Sequence, residues 1–178
     1  MRGFTVSDAM GEEKARAWGL AQQLYALRRP GDGGVGDFAA LRAFVVEAAA
    51  YGAASVSISP VHAQFSADPD RFSPYAPSSR IMLNVLHIAA DDPGEEAARL
   101  EALELVDWPA VARDRLARLR RTFETGGEHD ADFAAWRKNE GDKLESHAVF
   151  EALHAHLWCE QGLAWHWREW PEEYRTPG

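Results

Sequence analysis

The chain has 178 residues, of which 46% are hydrophobic and 26% charged, the composition of a globular protein rather than a disordered one. Its 19 Lys and Arg against 28 Asp and Glu leave a net charge of −9, which repels phosphate backbones and argues against nucleic acid as a partner. The single Cys159 rules out an internal disulfide framework, and no apolar stretch approaches the ~20 residues of a membrane span, so a cytoplasmic protein without a membrane partner is expected.

Residues 1–16 carry an early Arg2 but no apolar core of signal-peptide length, and read as a leader of unknown role rather than an export signal. Leu20, Leu24, Tyr25 and Leu27 then form a mostly apolar run. Its period suits strand or helix, and its context favours a strand ended by the Gly-rich loop Arg28 to Gly34. Asp37 offers an N-cap to a helix whose apolar positions Phe38, Leu41, Phe44, Val45, Ala48 and Ala49 recur at three and four residues, with Gly52 as its stop. Ser55 to Ser59 is the next strand, so residues 18–59 predict one strand–helix–strand unit with parallel strands. The alternation of Ser55, Ser57 and Ser59 with Val56 and Ile58 suits a strand turned toward a packed barrel interior. Gly34-Val35-Gly36 lacks the third spaced glycine and the GK[ST] ending of phosphate loops, and reads as a tight turn.

A loop of roughly two dozen residues begins at Pro60, a length that connections reach when they are functional or disordered. Pro60, Pro69, Pro74 and Pro77 restrict its φ angles and favour one shape. His62, Phe72 and Tyr75 sit in it among Ser, Asn and Arg, flat apolar faces beside hydrogen-bonding groups that suit a polyhydroxylated ligand.

From Pro93 to Gln161 the patterns are helical: Glu95 to Leu105; Trp108 to Glu124 capped by Asp107; Asp132 to Asn139; and a helix begun by the capping pair Asp142 and Glu145. Arg113, Arg115, Arg118, Arg120 and Arg121 are expected on the solvated face of the second of these. Six of the seven tryptophans fall in this half, where they would anchor a helical subdomain. His147 and His154 share a helical face, but no metal-ligand spacing accompanies them, so no metal or other cofactor is expected. The apolar neighbours of Cys159 would raise its pKa and disfavour a nucleophilic role.

The segments WGLAQQLYAL (18–27), GVGDFAAL (34–41), PVHA (60–63), ADP (67–69), SPYAPSSR (73–80) and LNVLHI (83–88) resemble, in order and spacing, the start of the catalytic domain of 4-alpha-glucanotransferases, the amylomaltases of glycoside hydrolase family 77. The resemblance runs on through Phe150 to Ala155 and WREWPEEY (167–174), with Gly33-Gly34 where the family has Trp-Gly and Ser59 where it has Asn. It implies an α/β fold: a partial (β/α)8 barrel comprising the first βαβ unit and substrate loop over residues 17–92, then an all-helical subdomain over 93–178. Such a barrel needs about 250 residues, so the resemblance implies a fragment, with unpaired strands through which it would self-associate. It also implies a maltooligosaccharide or starch- or glycogen-type glucan as partner, and transfer of α-1,4-glucan segments by carboxylates beyond residue 178, the chain alone being inactive. The Ser-Pro-Tyr loop of the family borders the acceptor-side sugar subsites, which assigns substrate binding to Ser73 and Tyr75; His62, Tyr25 and Asn84 are placed near the groove by motif match. The alternative is a non-catalytic glucan-binding or interaction module on the same scaffold.

Overall fold

The computed structural model describes residues 17–89 and 94–175. The leader expected over residues 1–16 and the boundary expected at 92–93 lie outside the described residues. The fold is mixed α/β. Strand β1 (Gly19–Gln22), helix α1 (Phe38–Ala50) and strand β2 (Ser55–Ile58) form the expected unit, with β1 and β2 parallel in the register Gly19↔Ser55 to Gln22↔Ile58. Asp37 caps α1 by accepting from the Ala40 N–H at 2.8 Å, and Gly52 ends it at φ +84°, a conformation that favours glycine.

The first strand is shorter than its apolar run suggested. Residues Leu24–Ala26 leave it as a turn of 3-10 helix, because β2 ends at Ile58 and Pro60 has no N–H with which to extend a ladder. The Leu24 N–H turns instead to the Ser59 hydroxyl at 3.3 Å, and the Leu24 side chain is fully buried. Ser55 and Ser57 lie exposed, so the polar row of β2 faces no packed interior among the described residues.

The long loop is also closed at its base. Strand β3 (His62–Ala63) pairs antiparallel with β4 (Ser79–Leu83), with an irregularity between His62 and Ala63. Both loops that follow β1 and β2 therefore leave the C-terminal ends of a parallel pair, where α/β folds place their binding residues.

Four α-helices follow: α2 (Glu95–Glu101), α3 (Trp108–Thr125), α4 (Ala131–Glu140) and α5 (Asp142–His154). The first stops at Glu101 rather than Leu105. In α5 the N-cap is Gly141 at φ +59°, and Asp142 stands inside the first turn without capping it; Glu145 is drawn away to Arg137 at 2.6 Å. The core joins both halves of the chain, with Val35 and Leu86 packed against Leu100, Trp108 and Val111.

Arg115 overturns the expectation of a wholly solvated arginine face on α3. It is fully buried and donates to the backbone carbonyls of Asp32, at 2.5 Å, and of Ile88. Burial, then the neighbouring Arg118, push its pKa down, against the attraction of Asp37, Asp114 and Asp32. Arg118 is held by Asp114, Nε to Oδ2 at 2.9 Å.

The turn around Gly34-Val35-Gly36 is tied into the fold by several of its own and neighbouring amides: Gly31 N–H donates to Glu101, Gly34 N–H to Asp32 and Gly36 N–H to the Tyr25 carbonyl. A Cβ on Gly36 would meet the Leu24 carbonyl oxygen at 2.1 Å, so the close approach of backbone to backbone accounts for this glycine.

Candidate glucan-binding loop

The loop over residues 60–83 owes its shape to two proline turns. In Asp68-Pro69-Asp70-Arg71 and Ser73-Pro74-Tyr75-Ala76 the first carbonyl accepts from the fourth N–H, at 3.0 and 3.1 Å, with proline second in each. Proline's fixed φ suits that position. The second turn carries Tyr75 at its third position.

Side chains of the helical half hold the loop from behind. Phe72 stacks on Trp108 at 5.2 Å with 4° between the planes. Asp68 accepts from the Trp165 indole N–H at 2.8 Å and from Arg71 at 3.1 Å, while the Arg71 guanidinium lies 3.8 Å from the centre of the Trp165 ring. Glu151 of α5 accepts from both the N–H and the hydroxyl of Ser66, at 2.9 and 2.5 Å. Within the loop, Gln64 donates to the Phe72 carbonyl at 2.6 Å and accepts from Asn84 at 3.3 Å. Each such group would otherwise need water, so together they select one loop conformation.

Behind these contacts lies a cage around His154. Its ring is 1% exposed, with Trp165 5.2 Å, Phe65 5.5 Å, Trp158 5.6 Å and Phe150 5.8 Å from it between ring centres. Neither ring nitrogen has a hydrogen-bond partner among the described residues. Burial pushes its pKa down, outweighing the nearby carboxylates of Glu151 and Asp68.

Tyr75 is 73% exposed and stacks on no described ring, so its face is open. Ser73, beside it, is exposed as well. The other three expected residues stand elsewhere. Asn84 is 4% exposed; its side chain accepts from the Leu86 N–H at 3.0 Å and so caps the turn Val85–His87. Tyr25 packs edge-on against Trp108 at 5.6 Å, on the border of the core. His62 is half-buried in β3 opposite Leu83. No hydrogen bond or ring contact joins these three to Tyr75 among the described residues. Sequence reasoning missed the bracing group of Asp68, Arg71 and Trp165; a carboxylate just ahead of a proline and followed three residues later by an arginine was the available signal.

Cys159 is exposed, with its pKa raised by partial burial and then by Asp68 and Glu160, which disfavours the thiolate as expected. Among the described residues no three His, Cys, Asp or Glu side chains converge to hold a metal ion, and no helix is long and apolar enough to cross a membrane.

An exposed aromatic on a braced loop at the C-terminal end of parallel strands is an arrangement suited to holding a sugar. Comparison with known proteins places the chain in a class of glucan-transferring enzymes. The family model described as 4-alpha-glucanotransferase matches residues 22–178, and the chain belongs to that family, glycoside hydrolase family 77. It is 28% identical over 193 residues to the 4-alpha-glucanotransferase of Haemophilus influenzae, covering 92% of this chain and 28% of that protein. It is 31% identical over 199 residues to the 4-alpha-glucanotransferases of Mycobacterium bovis and Mycobacterium tuberculosis, covering 91% of this chain and 25% of theirs. The chain thus spans about a quarter of the length of the curated relatives it matches.

Proposed function

We propose that this chain is the first part of the catalytic domain of an amylomaltase-type 4-alpha-glucanotransferase, in which the loop over residues 60–83 holds an acceptor sugar against Tyr75. The carrying observation is the contrast within the loop: Phe65 and Phe72 pack on Trp165 and Trp108, with Phe72 still 46% exposed, while Tyr75 packs on no described ring and is 73% exposed on a proline turn. Pyranose rings present CH faces that stack on an aromatic, and the phenol adds a hydrogen-bonding group for a sugar hydroxyl. Ser73 supplies a second hydroxyl beside it. His62, Tyr25 and Asn84 serve this site by holding the scaffold in place. In an intact enzyme carrying this segment, Tyr75→Ala weakens acceptor binding by about 1 kcal/mol, close to five-fold, because one stacked ring contributes on that order. Transfer kinetics with glucose or maltose as acceptor that match the wild type would remove Tyr75 from the site.

Retaining glycosyl transfer needs two carboxylates roughly 5 to 5.5 Å apart across the scissile bond. The loop's Asp68 is already engaged by Arg71 and Trp165, and Glu151 by Ser66. The nucleophile and the acid/base are assigned to segments of the complete enzyme that this chain does not include, in keeping with the quarter of its relatives' length that it spans. Incubated with maltotriose, the pure chain releases no glucose and forms no longer maltooligosaccharide. Turnover abolished by Asp68→Asn or by Asp70→Asn would overturn the assignment.

A further inference from the structure

The buried His154 ring stands where the helical half of the chain grips the loop over residues 60–83, and three of its neighbours belong to that grip. Phe65 comes from the loop itself, Trp165 donates its indole N–H to Asp68, and Glu151, one turn earlier on α5, holds the N–H and hydroxyl of Ser66. Phe150 and Trp158 stack on the ring with 8° between the planes in each case. A phenylalanine would fill such a cage. The imidazole adds two polar nitrogens that find no partner among the described residues, a cost that packing does not require.

What the imidazole does bring is a proton that it can gain near neutral pH. Protonated, it carries a charge and two N–H donors. Cation–π attraction to Phe150 and Trp158 offsets part of the burial but supplies no strong acceptor. On α5 the facing group is Glu151, whose Oε1 is buried without a partner among the described residues. From the loop come Asp68 and Arg71, paired with each other. In the helical turn Ala155–Glu160 that continues α5, His156 pairs with Glu160, and the Cys159 Sγ lies 3.5 Å from the Ala67 carbonyl. In the C-terminal segment His166 accepts from the Arg168 N–H, and Arg175 donates to the Trp170 carbonyl. The anions that act on the ring are thus Glu151 and Asp68, and each is committed to the loop. Turning either toward His154 takes it from Ser66 or from Trp165.

We infer that His154 is a positioning residue for the loop over residues 60–83 and works as its pH-sensitive latch: neutral, it leaves the loop braced, and protonated, it releases the loop. Burial holds its pKa below the ordinary value, with Arg71 adding to burial and Glu151, Asp68 and the Trp165 backbone opposing, so the braced loop belongs to the neutral form. The brace is complete above the pKa of the released state, about 6.5, and weakens by up to about ten-fold per pH unit below it. The inference rests on the proposed sugar site only for its consequence, that an acceptor held at Tyr75 is lost as the brace loosens.

The test follows the 15N-indole NMR signals of the full 178-residue chain from pH 8 to pH 5, without and with maltotriose, the Trp165 signal being identified by its loss in Trp165→Phe. In the wild type the Trp165 N–H shifts and exchanges faster as the pH falls, while far-UV circular dichroism stays constant, which separates release of the loop from unfolding. Affinity for maltotriose falls about ten-fold over the same interval. His154→Phe, which keeps the cage filled, leaves both readings flat, and His154→Gln, which cannot charge, serves as a second flat variant. A wild-type Trp165 signal constant from pH 8 to pH 5 overturns the inference. So does one that titrates equally in the variants, or that moves only together with loss of circular dichroism. A Trp165 signal that titrates with His154 while maltotriose binds at no pH upholds the latch and removes the sugar site from Tyr75.

Discussion

Replacing Arg115 by methionine lowers the stability of this chain by about 2 to 4 kcal/mol. The guanidinium is the donor that reaches the carbonyls of Asp32 and Ile88, on two segments that no ladder connects. A thioether of similar length fills part of the space but donates nothing, and each buried carbonyl left unpaired costs about 1 to 3 kcal/mol. Relief of burying a cation offsets part of this loss, since burial already works against the charged form of Arg115. Lysine recovers little, because an ammonium is a point donor and the two carbonyls belong to different segments. Arg113→Met, at an exposed position on the same helix, changes stability by no more than about 0.5 kcal/mol. Urea unfolding midpoints of the two variants decide the matter: equal midpoints would mean that Arg115 does not tie the Gly-rich loop to α3.

Stability also falls steeply between about pH 7 and pH 5, and two buried histidines are responsible. His87 is buried, with Nδ1 2.9 Å from the Gly36 carbonyl; burial, and then Arg115, hold its pKa below the ordinary value despite the Gly36 carbonyl and Asp37. His154 is held down by burial, with Arg71 adding to it and Glu151 and Asp68 opposing. A histidine whose folded pKa is depressed is neutral in the native state. Below its unfolded pKa, about 6.5, the unfolded chain takes up a proton that the native one refuses, so stability is present above that pH and is lost as the pH falls. Each histidine contributes a slope of up to about 1.4 kcal/mol per pH unit in that window. Asp37 acts lower on the scale. Burial raises its pKa, but the Arg29 fork and the Ala40 N–H outweigh burial and leave it depressed, so its contribution disappears only as the pH falls through the carboxylate range. His154→Phe keeps a ring in the aromatic cage and removes its share of the slope. Denaturant titrations at pH 5, 6, 7 and 8 in which His154→Phe and wild type run parallel would show that His154 is not buried neutral.

The family was legible before any coordinates, because short segments such as SPYAPSSR and LNVLHI keep their order and spacing. Local physics was legible too. Asp37 and Asp107 are caps that act within three residues of themselves, and the strand–helix–strand unit follows from period and punctuation. The pairing of β3 with β4 was hidden, since a two-residue strand has no period to read and its ladder depends on chain ends brought together across the loop. Arg115 had a signal that charge obscured: it stands three, four and seven residues after Ala112, Val111 and Trp108, within the buried stripe of α3. What distinguishes Tyr75 from Phe72, two aromatics three residues apart in one loop, is tertiary alone. Phe72 finds Trp108 and Tyr75 finds no ring, because Trp108 is carried there by a helix that the sequence places in the other half of the chain. Sequence by itself determines the caps, the turns and the kinship, all set by neighbours along the chain; which rings brace the loop and which is left exposed is decided only when distant segments pack.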